Sequence, residues 1–348
     1  MSTMEDKTSR GPIRACSIEA PCKINLHLKI GEKRPDGYHS LESLFASLAL
    51  ADSLRFEVSG REAECRLSME WDIGPEGSPA SQAQAEQSHQ AQQTHFEQIP
   101  PEKNLVYRAV SLFRERTGYE AGLGIHLIKR IPPGAGLGGG SSDAASTLLA
   151  LDKLAGTGLG SRELMEMALL LGSDVPFFLK GGSAYVSGRG EIIEPVKSPA
   201  GLWVVLVKPG FSSNTAAAFR LLEEARAGSP AALAPSASGT EPLGQEKGGK
   251  PAKNELVNAF LNDPVSWPFS NDFLEVFLKS EKTAGVFRSL LEKFQKTGAL
   301  FAGLSGSGSC CFGIYGLREA AERSLKEFEG NFAKLTIFLA QKANPVVK

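Results

Sequence analysis

The sequence has little of what marks a protein for nucleic acid, a membrane or an oxidising compartment. Its 38 Lys+Arg offset 39 Asp+Glu to a formal net charge of −1, so no whole-chain positive field draws in a polyanion, and nucleic acid is a poor partner. No apolar run approaches the roughly 20 residues needed to span a bilayer. Met1 to Arg10 carries Glu5 and Asp6 and has no hydrophobic stretch of the secretory kind. The five cysteines, Cys16, Cys22, Cys65, Cys310 and Cys311, are odd in number and lack a paired C-x-x-C spacing, which argues against a disulfide framework and a structural zinc site. Internal repeats are absent too. These absences predict a cytoplasmic protein that binds neither nucleic acid nor a membrane; a monomer or weak homodimer is expected.

The 348 residues, 42% of them hydrophobic, suffice for two domains with a large core. Two segments dilute that core. Residues 74–98 hold seven Gln and four Ala with Phe96 as the only large apolar side chain, and in residues 226–254 Ala, Gly, Pro and Ser make up 18 of 29 positions. Neither can bury enough surface to offset its ordering entropy, so both read as loop insertions. Pro195, Pro199 and Gly201 mark the preferred boundary, giving a first domain at 13–197 and a second at 201–345.

Lys23 to Ile30 alternates strictly, with Ile24, Leu26, Leu28 and Ile30 on one face and Lys23, Asn25, His27 and Lys29 on the other. That period predicts a strand with a polar wall. Pro35, Asp36 and Gly37 form a turn, and 41–48 and 53–58 read as two further strands. Helices are expected at 104–116, 142–154, 164–171, 216–225, 273–294 and 318–328. Strands are expected at 124–131, 202–207 and 310–315, with a hairpin at 183–194.

Between the strand at 124–131 and the helix at 142–154 lies Pro132, Pro133, Gly134, Ala135, Gly136, Leu137, Gly138, Gly139, Gly140, Ser141, Ser142. Glycine permits positive φ and close backbone approach, so successive N–H groups can converge on phosphate oxygens, and the helix start adds partial positive charge. A dinucleotide fingerprint is disfavoured by the two intervening prolines and by the lack of an acid about 20 residues on. A Walker A loop would need Lys-Ser/Thr after its last glycine. A flexible linker rarely runs directly into a good helix.

The loop resembles the P-x-x-x-G-L-G-S-S motif of the GHMP kinases, in the form G-L-G-G-G-S-S. Three more motifs follow that family's order: A-P-C-K-I-N-L at 20–26 with K-R-P-D-G-Y-H at 33–39, G-S-D-V-P-F-F at 172–178, and L-S-G-S-G at 304–308. The R-P-D-G-Y-H turn looks like that of one branch, the 4-diphosphocytidyl-2-C-methyl-D-erythritol kinases. Cys22, Ala135 and Ser307 depart modestly from the pattern. The resemblance implies a two-domain α+β fold, an N-terminal ribosomal-protein-S5-like domain and a C-terminal ferredoxin-like α/β sandwich, with the active site in the cleft between them.

By the same resemblance, ATP phosphates lie on 132–142 with Mg2+ at Ser142, Asp174 is the base for an alcohol acceptor, and Lys23 steadies charge at the attacking oxygen. Asn25 contacts substrate, Tyr38 and His39 take a cytosine ring, and Phe219 supplies the opposite stacking face. Taken without the resemblance, Asp174 is a helix N-cap before Val175-Pro176, Lys23 a solvated strand lysine, Phe219 a core aromatic and Asp143 a first-turn helix acid. His27 and His126 read as structural, and Cys310 and Cys311 as packed thiols. Another GHMP small-alcohol kinase, or a ligand sensor that keeps the fold without the chemistry, are the alternatives.

Overall fold

The computed structural model describes residues 14–59, 64–73, 103–227, 253–328, 330–340 and 346–347. The loop expected at 74–98 lies outside them, as does 228–252 of the second insertion. The ends of that second segment are helical: one helix runs on through Arg226 to Ala227 and another begins at Lys253.

Two long strands form the spine, β1 (Ala15–Lys33) and β2 (His39–Ser59), paired antiparallel through the tight turn at Pro35 to Gly37. The stretches expected as two strands at 41–48 and 53–58 are one strand. No Gly or Pro interrupts 41–58, so the chain bends gradually and changes partners instead of stopping. β1 carries register shifts between Pro21 and Lys23 and between Asn25 and His27. Bulges of this kind re-aim side chains, and they break the strict alternation expected for the polar wall.

β3 (Cys65–Trp71), α1 (Leu105–Thr117) and β4 (Gly122–Lys129) follow, with β3 parallel to β4. Asn104 caps α1 by accepting the Val106 N–H, and Gly118 ends it at φ 70°. Then come α2 (Gly139–Ala155), α3 (Ser161–Leu171), α4 (Val175–Lys180), β5 (Ser183–Gly188) and β6 (Ile192–Val196). The first sheet has the order β11-β1-β2-β4-β3, with β5 pairing β2 and β6, and β11 is Val346–Val347. Its core packs Leu54, Phe56 and Ile125 from the strands against Leu148, Leu151 and Phe177 from the helices.

The second sheet is built from β7 (Trp203–Lys208), β8 (Phe301–Leu304), β9 (Cys311–Tyr315) and β10 (Phe332–Ile337) in the order β10-β7-β9-β8, all antiparallel. Counted along the chain that is 4-1-3-2, the order expected of a ferredoxin-like sandwich. α5 (Thr215–Ala227), α6 (Lys253–Phe260), α7 (Asp272–Lys279) and α8 (Ala284–Lys296) lie between β7 and β8, and α9 (Arg318–Lys326) between β9 and β10. The single helix expected at 273–294 is two helices. The polar run Ser280 to Thr283 ends α7, where the Ser280 N–H donates to Val276 and Phe277 carbonyls and Thr283 Oγ1 donates to Phe277 O.

The sheets are joined by an apolar cluster drawing Ile24 and Leu44 from one and Leu206 and Phe312 from the other. Single bridges Leu28 to Asn271 and Leu48 to Phe338 add backbone ties. Among the described residues no helix is long and apolar enough to cross a membrane.

Candidate active site

The glycine loop sits where both sheets meet. Gly134, Gly136 and Gly138 all have positive φ, at 61°, 74° and 72°, and at Gly136 the reason is plain: a Cβ there would lie 2.1 Å from Ser305 O. α2 begins at Gly139, a turn earlier than the expected Ser142, because Gly138 takes the left-handed N-cap conformation and its carbonyl accepts the Ser142 N–H. The first N–H groups of α2 have no intrahelical acceptor and carry the positive end of the helix dipole, which suits an anion. The loop lines a cavity of about 340 Å³ whose other walls include Met69, Trp71, Asn104, Leu105 and Lys129.

The turn 305–309 after β8 braces this loop. Ser305 Oγ donates to Gly136 O at 2.9 Å, the Cys310 N–H donates to Ala135 O at 3.1 Å, and Asn271 Nδ2 holds the turn through Leu304 O and Gly306 O. On the other side the Lys23 N–H donates to Leu137 O at 2.9 Å. The lysine-bearing stretch at 20–26, the glycine loop and the turn at 304–308, spread over nearly 290 positions, therefore touch one another.

Lys23 Nζ lies 3.4 Å from Asp174 Oδ2, donates to Asn25 Oδ1 at 2.5 Å, and stands 4.8 Å from the centre of the Phe45 ring. Its side chain is 4% exposed against 33% for Asp174. A dry ammonium thus faces a carboxylate that still meets solvent. Asp174 occupies the N-cap position of α4 but makes no capping hydrogen bond with its side chain, so the capping reading fails and the carboxylate is turned to Lys23. Asn25 is buried and bonded on both sides, to Lys23 and to Ser43. His27 is buried away from the pair: its Nδ1 accepts the Ser270 N–H, and burial, helped by Lys29, lowers its pKa to about 4.

Asp143 is not a solvated first-turn acid. It is buried and pairs with Lys129 Nζ at 2.6 Å, and the same ammonium is bonded to the fully buried Asp52. Asp52 also accepts the Arg130 and Ile131 N–H groups at 2.6 and 2.8 Å, anchoring the chain just before the loop. Burial works against the Lys129 ammonium, but the Asp143 and Asp52 carboxylates outweigh it and raise its pKa; burial pushes the Asp143 carboxyl well up against the pull of Lys129. The trio was missed from sequence although a signal exists. Lys129 is in phase with Leu123, Ile125 and Leu127, and Asp52 with Leu54 and Phe56, so two opposite charges stand on the apolar faces of neighbouring strands.

The groups expected at a cytosine ring are gathered on one side. His39 and Phe219 are stacked on each other at 5.2 Å and 28°, with Phe273 edge-on to Phe219, so no slot for a base stands open between them. His39 Nδ1 meets Gly31 O and Nε2 meets Glu223; hydrogen bonds from Lys33 and then His39 hold Glu223 below its usual pKa. Tyr38 is 54% exposed, with the Arg189 guanidinium over its ring at 4.8 Å. Cys22, Cys310 and Cys311 are buried, and burial raises all three thiols, Cys310 to about 12. They are packing residues.

Comparison with known proteins agrees with this geometry. Residues 104–182 match the GHMP kinases N terminal domain and residues 270–332 the GHMP kinases C terminal domain. A 4-diphosphocytidyl-2-C-methyl-D-erythritol kinase of Treponema pallidum (strain Nichols) is 33% identical over 90% of this chain and 94% of its own length. The chloroplastic kinase of that name from Oryza sativa subsp. japonica is 39% identical over 60% of this chain, a match spanning 47% of the plant protein. The crystal structure of a 4-(cytidine 5'-diphospho)-2C-methyl-D-erythritol kinase superposes with a TM-score of 0.66 at 28% identity, covering 92% of this chain and 98% of that one. A homoserine kinase from Cytophaga hutchinsonii, at 16% identity and a TM-score of 0.60, shares the fold. The chain belongs to the 4-diphosphocytidyl-2-C-methyl-D-erythritol kinase family of GHMP kinases, which makes it an ATP-dependent kinase.

Proposed function

We propose that this kinase transfers the γ-phosphoryl of ATP to the 2-hydroxyl of 4-diphosphocytidyl-2-C-methyl-D-erythritol, a step in non-mevalonate isoprenoid synthesis. The observation that carries the chemistry is the Lys23–Asp174 pair at 3.4 Å, next to the glycine loop, whose Leu137 O accepts the Lys23 N–H. Asp174 accepts the hydroxyl proton as the oxygen attacks γ-phosphorus; the new O–P bond forms, the bond to the β-phosphate bridging oxygen breaks, and ADP leaves. Lys23 stabilises the negative charge at the attacking oxygen, and its dry setting strengthens that attraction. Loop residues 132–142 hold the phosphates, so the near-zero net charge of the chain is no obstacle: local amides and a helix end do the binding.

Ser142 fits a magnesium ligand. Its Oγ is buried without a hydrogen-bond partner at the head of α2, beside the phosphate loop. Among the described residues no cluster of three His, Cys, Asp or Glu could hold a metal, so phosphates and water would supply most of the shell, as is usual for Mg2+ on a nucleotide. Mg2+ held there would neutralise phosphate charge.

Tyr38, His39 and Phe219 take the cytosine ring. A base stacking on Tyr38 replaces the Arg189 guanidinium, and one entering beside Phe219 parts that ring from His39, so the free site is closed on itself by groups with an affinity for flat rings. The division into 13–197 and 201–345 then puts the phosphate loop and the Lys23–Asp174 pair on the first part, and the stacking Phe219 and the brace 305–309 on the second.

A coupled assay of ADP release tests the function. Turnover is expected with 4-diphosphocytidyl-2-C-methyl-D-erythritol and not with mevalonate or homoserine; turnover of either of those in its place would point to another small-alcohol kinase, and no ATP consumption at all to a ligand sensor.

A further inference from the structure

Asn25 and Lys23 form a hydrogen bond whose direction depends on which end of the Asn25 amide faces the ammonium. An amide that presents Oδ1 accepts from Lys23 and stabilises it. Turned over, it presents Nδ2, a donor against three donors, and pushes the ammonium away. The two orientations have nearly the same shape, so something beyond packing must choose between them.

The choice is made by Ser43. Its Oγ is fully buried and donates to His27 O at 2.5 Å. A peptide carbonyl can only accept, so the single hydroxyl proton of Ser43 is committed to it and the oxygen can only accept elsewhere. Asn25 Nδ2 donates to that oxygen at 3.0 Å, which leaves Oδ1 on the side of Lys23. The bulge in β1 between Asn25 and His27 brings both ends of this chain of bonds within reach of one serine on the neighbouring strand. The main chain of Asn25 is held separately: its N–H lies 3.4 Å from Ser305 Oγ, whose own proton goes to Gly136 O.

We propose that Ser43 is a positioning residue for phosphoryl transfer: through His27 O it fixes the Asn25 amide with Oδ1 toward Lys23, and so holds the ammonium beside Asp174. Asn25, buried and bonded at both ends of its amide, acts on Lys23. This rests on Lys23 and Asp174 being the reacting pair.

Removing the hydroxyl frees the amide to turn over. Ser43→Ala is expected to lower kcat about tenfold, the loss of one hydrogen bond to a charged group, with KM for ATP unchanged. In an Asn25→Asp background either carboxylate oxygen accepts from Lys23 and orientation no longer matters, so adding Ser43→Ala, which also removes the oxygen that would face the second carboxylate oxygen, is expected to leave kcat unchanged or raise it. A serine that merely filled space would lower kcat equally in both backgrounds, and that result overturns the proposal, as does a Ser43→Ala enzyme with normal kcat. A second measurement needs no variant. In the unmodified protein, NMR is expected to show an NOE between the Asn25 Nδ2 protons and the Ser43 Hβ protons; an NOE to the Lys23 Hε protons in its place overturns the assignment. Wild-type protein that phosphorylates nothing would defeat the functional reading, while the NOE would still decide the orientation.

Discussion

Gly136→Ala isolates the contact on which the glycine loop depends. At φ 74° a Cβ costs about 1 kcal/mol from backbone strain alone. That Cβ would also stand 2.1 Å from Ser305 O, 3.0 Å from its carbonyl carbon and 3.1 Å from Gly308 O, so the brace and the loop must part by about 1 Å. The brace cannot yield freely, because the Gly308 N–H donates to Ser305 O and Ser305 Oγ donates to Gly136 O. Loosening those two bonds costs about 1 kcal/mol each, for a total of about 3 kcal/mol before any overpacking. Since the strain is relieved by moving the N–H groups that bind phosphate, kcat/KM for ATP should fall by about two orders of magnitude. KM for the cytidylyl substrate should move much less. Gly285→Ala is the matched control: it lies in α8 with nothing within 4 Å of the new Cβ, and alanine there should hold or raise stability by up to about 1 kcal/mol without touching the kinetics. The measurements are ADP-release kinetics at varied ATP and a thermal melt. A Gly136→Ala enzyme with ATP kinetics within twofold of wild type would refute the reasoning.

Three further outcomes follow from the site. His27 has a folded pKa near 4 against about 6.5 in the unfolded chain, so between those values the unfolded state binds more protons; the stability this contributes is complete above pH 6.5, and about 3 kcal/mol of it is lost as pH falls to 4. Denaturant titrations over that range should show a shallower loss for His27→Asn, and an identical slope would contradict the assignment. Asp52→Ala removes the acceptor of two N–H groups and one partner of Lys129, so about 3–5 kcal/mol of stability should go, with a raised KM for ATP; unchanged melting would show the trio to be inert. Phe219→Ala should raise KM for the cytidylyl substrate severalfold and leave KM for ATP alone, and an equal change in both would return Phe219 to a purely structural role.

The motifs were legible because each is a run of neighbouring residues whose chemistry is local. Glycines at 134–140 announce close backbone approach, and Asp-x-Pro at 174–176 announces a helix start. Their meeting was not legible, since contacts such as Ser305 to Gly136 join residues 169 positions apart. The polar wall on β1 was read correctly in kind: Lys23 and Asn25 do face each other. His27 left it because a bulge adds a residue between Asn25 and His27, and nothing in an alternating pattern marks where a bulge falls. Lys129 and Asp52 were readable in principle, as charges in apolar phase, but their partnership required the antiparallel register of β2 and β4, where Ser53 stands opposite Ile128. The split of 273–294 shows the limit of helical periodicity. Apolar spacing continues across Ser280 to Thr283, whereas the Ser280 N–H and the Thr283 hydroxyl satisfy the last carbonyls of α7 locally and end it.

The account rests on Lys23 and Asp174 acting as a pair on a hydroxyl. A rapid-quench single-turnover experiment with γ-labelled ATP and 4-diphosphocytidyl-2-C-methyl-D-erythritol measures that step directly. Wild type should transfer one labelled phosphoryl per site to the 2-hydroxyl, and Asp174→Asn and Lys23→Ala should each slow the transfer by at least about a hundredfold while binding ATP with near-normal affinity. Transfer at the wild-type rate in either variant would contradict the account.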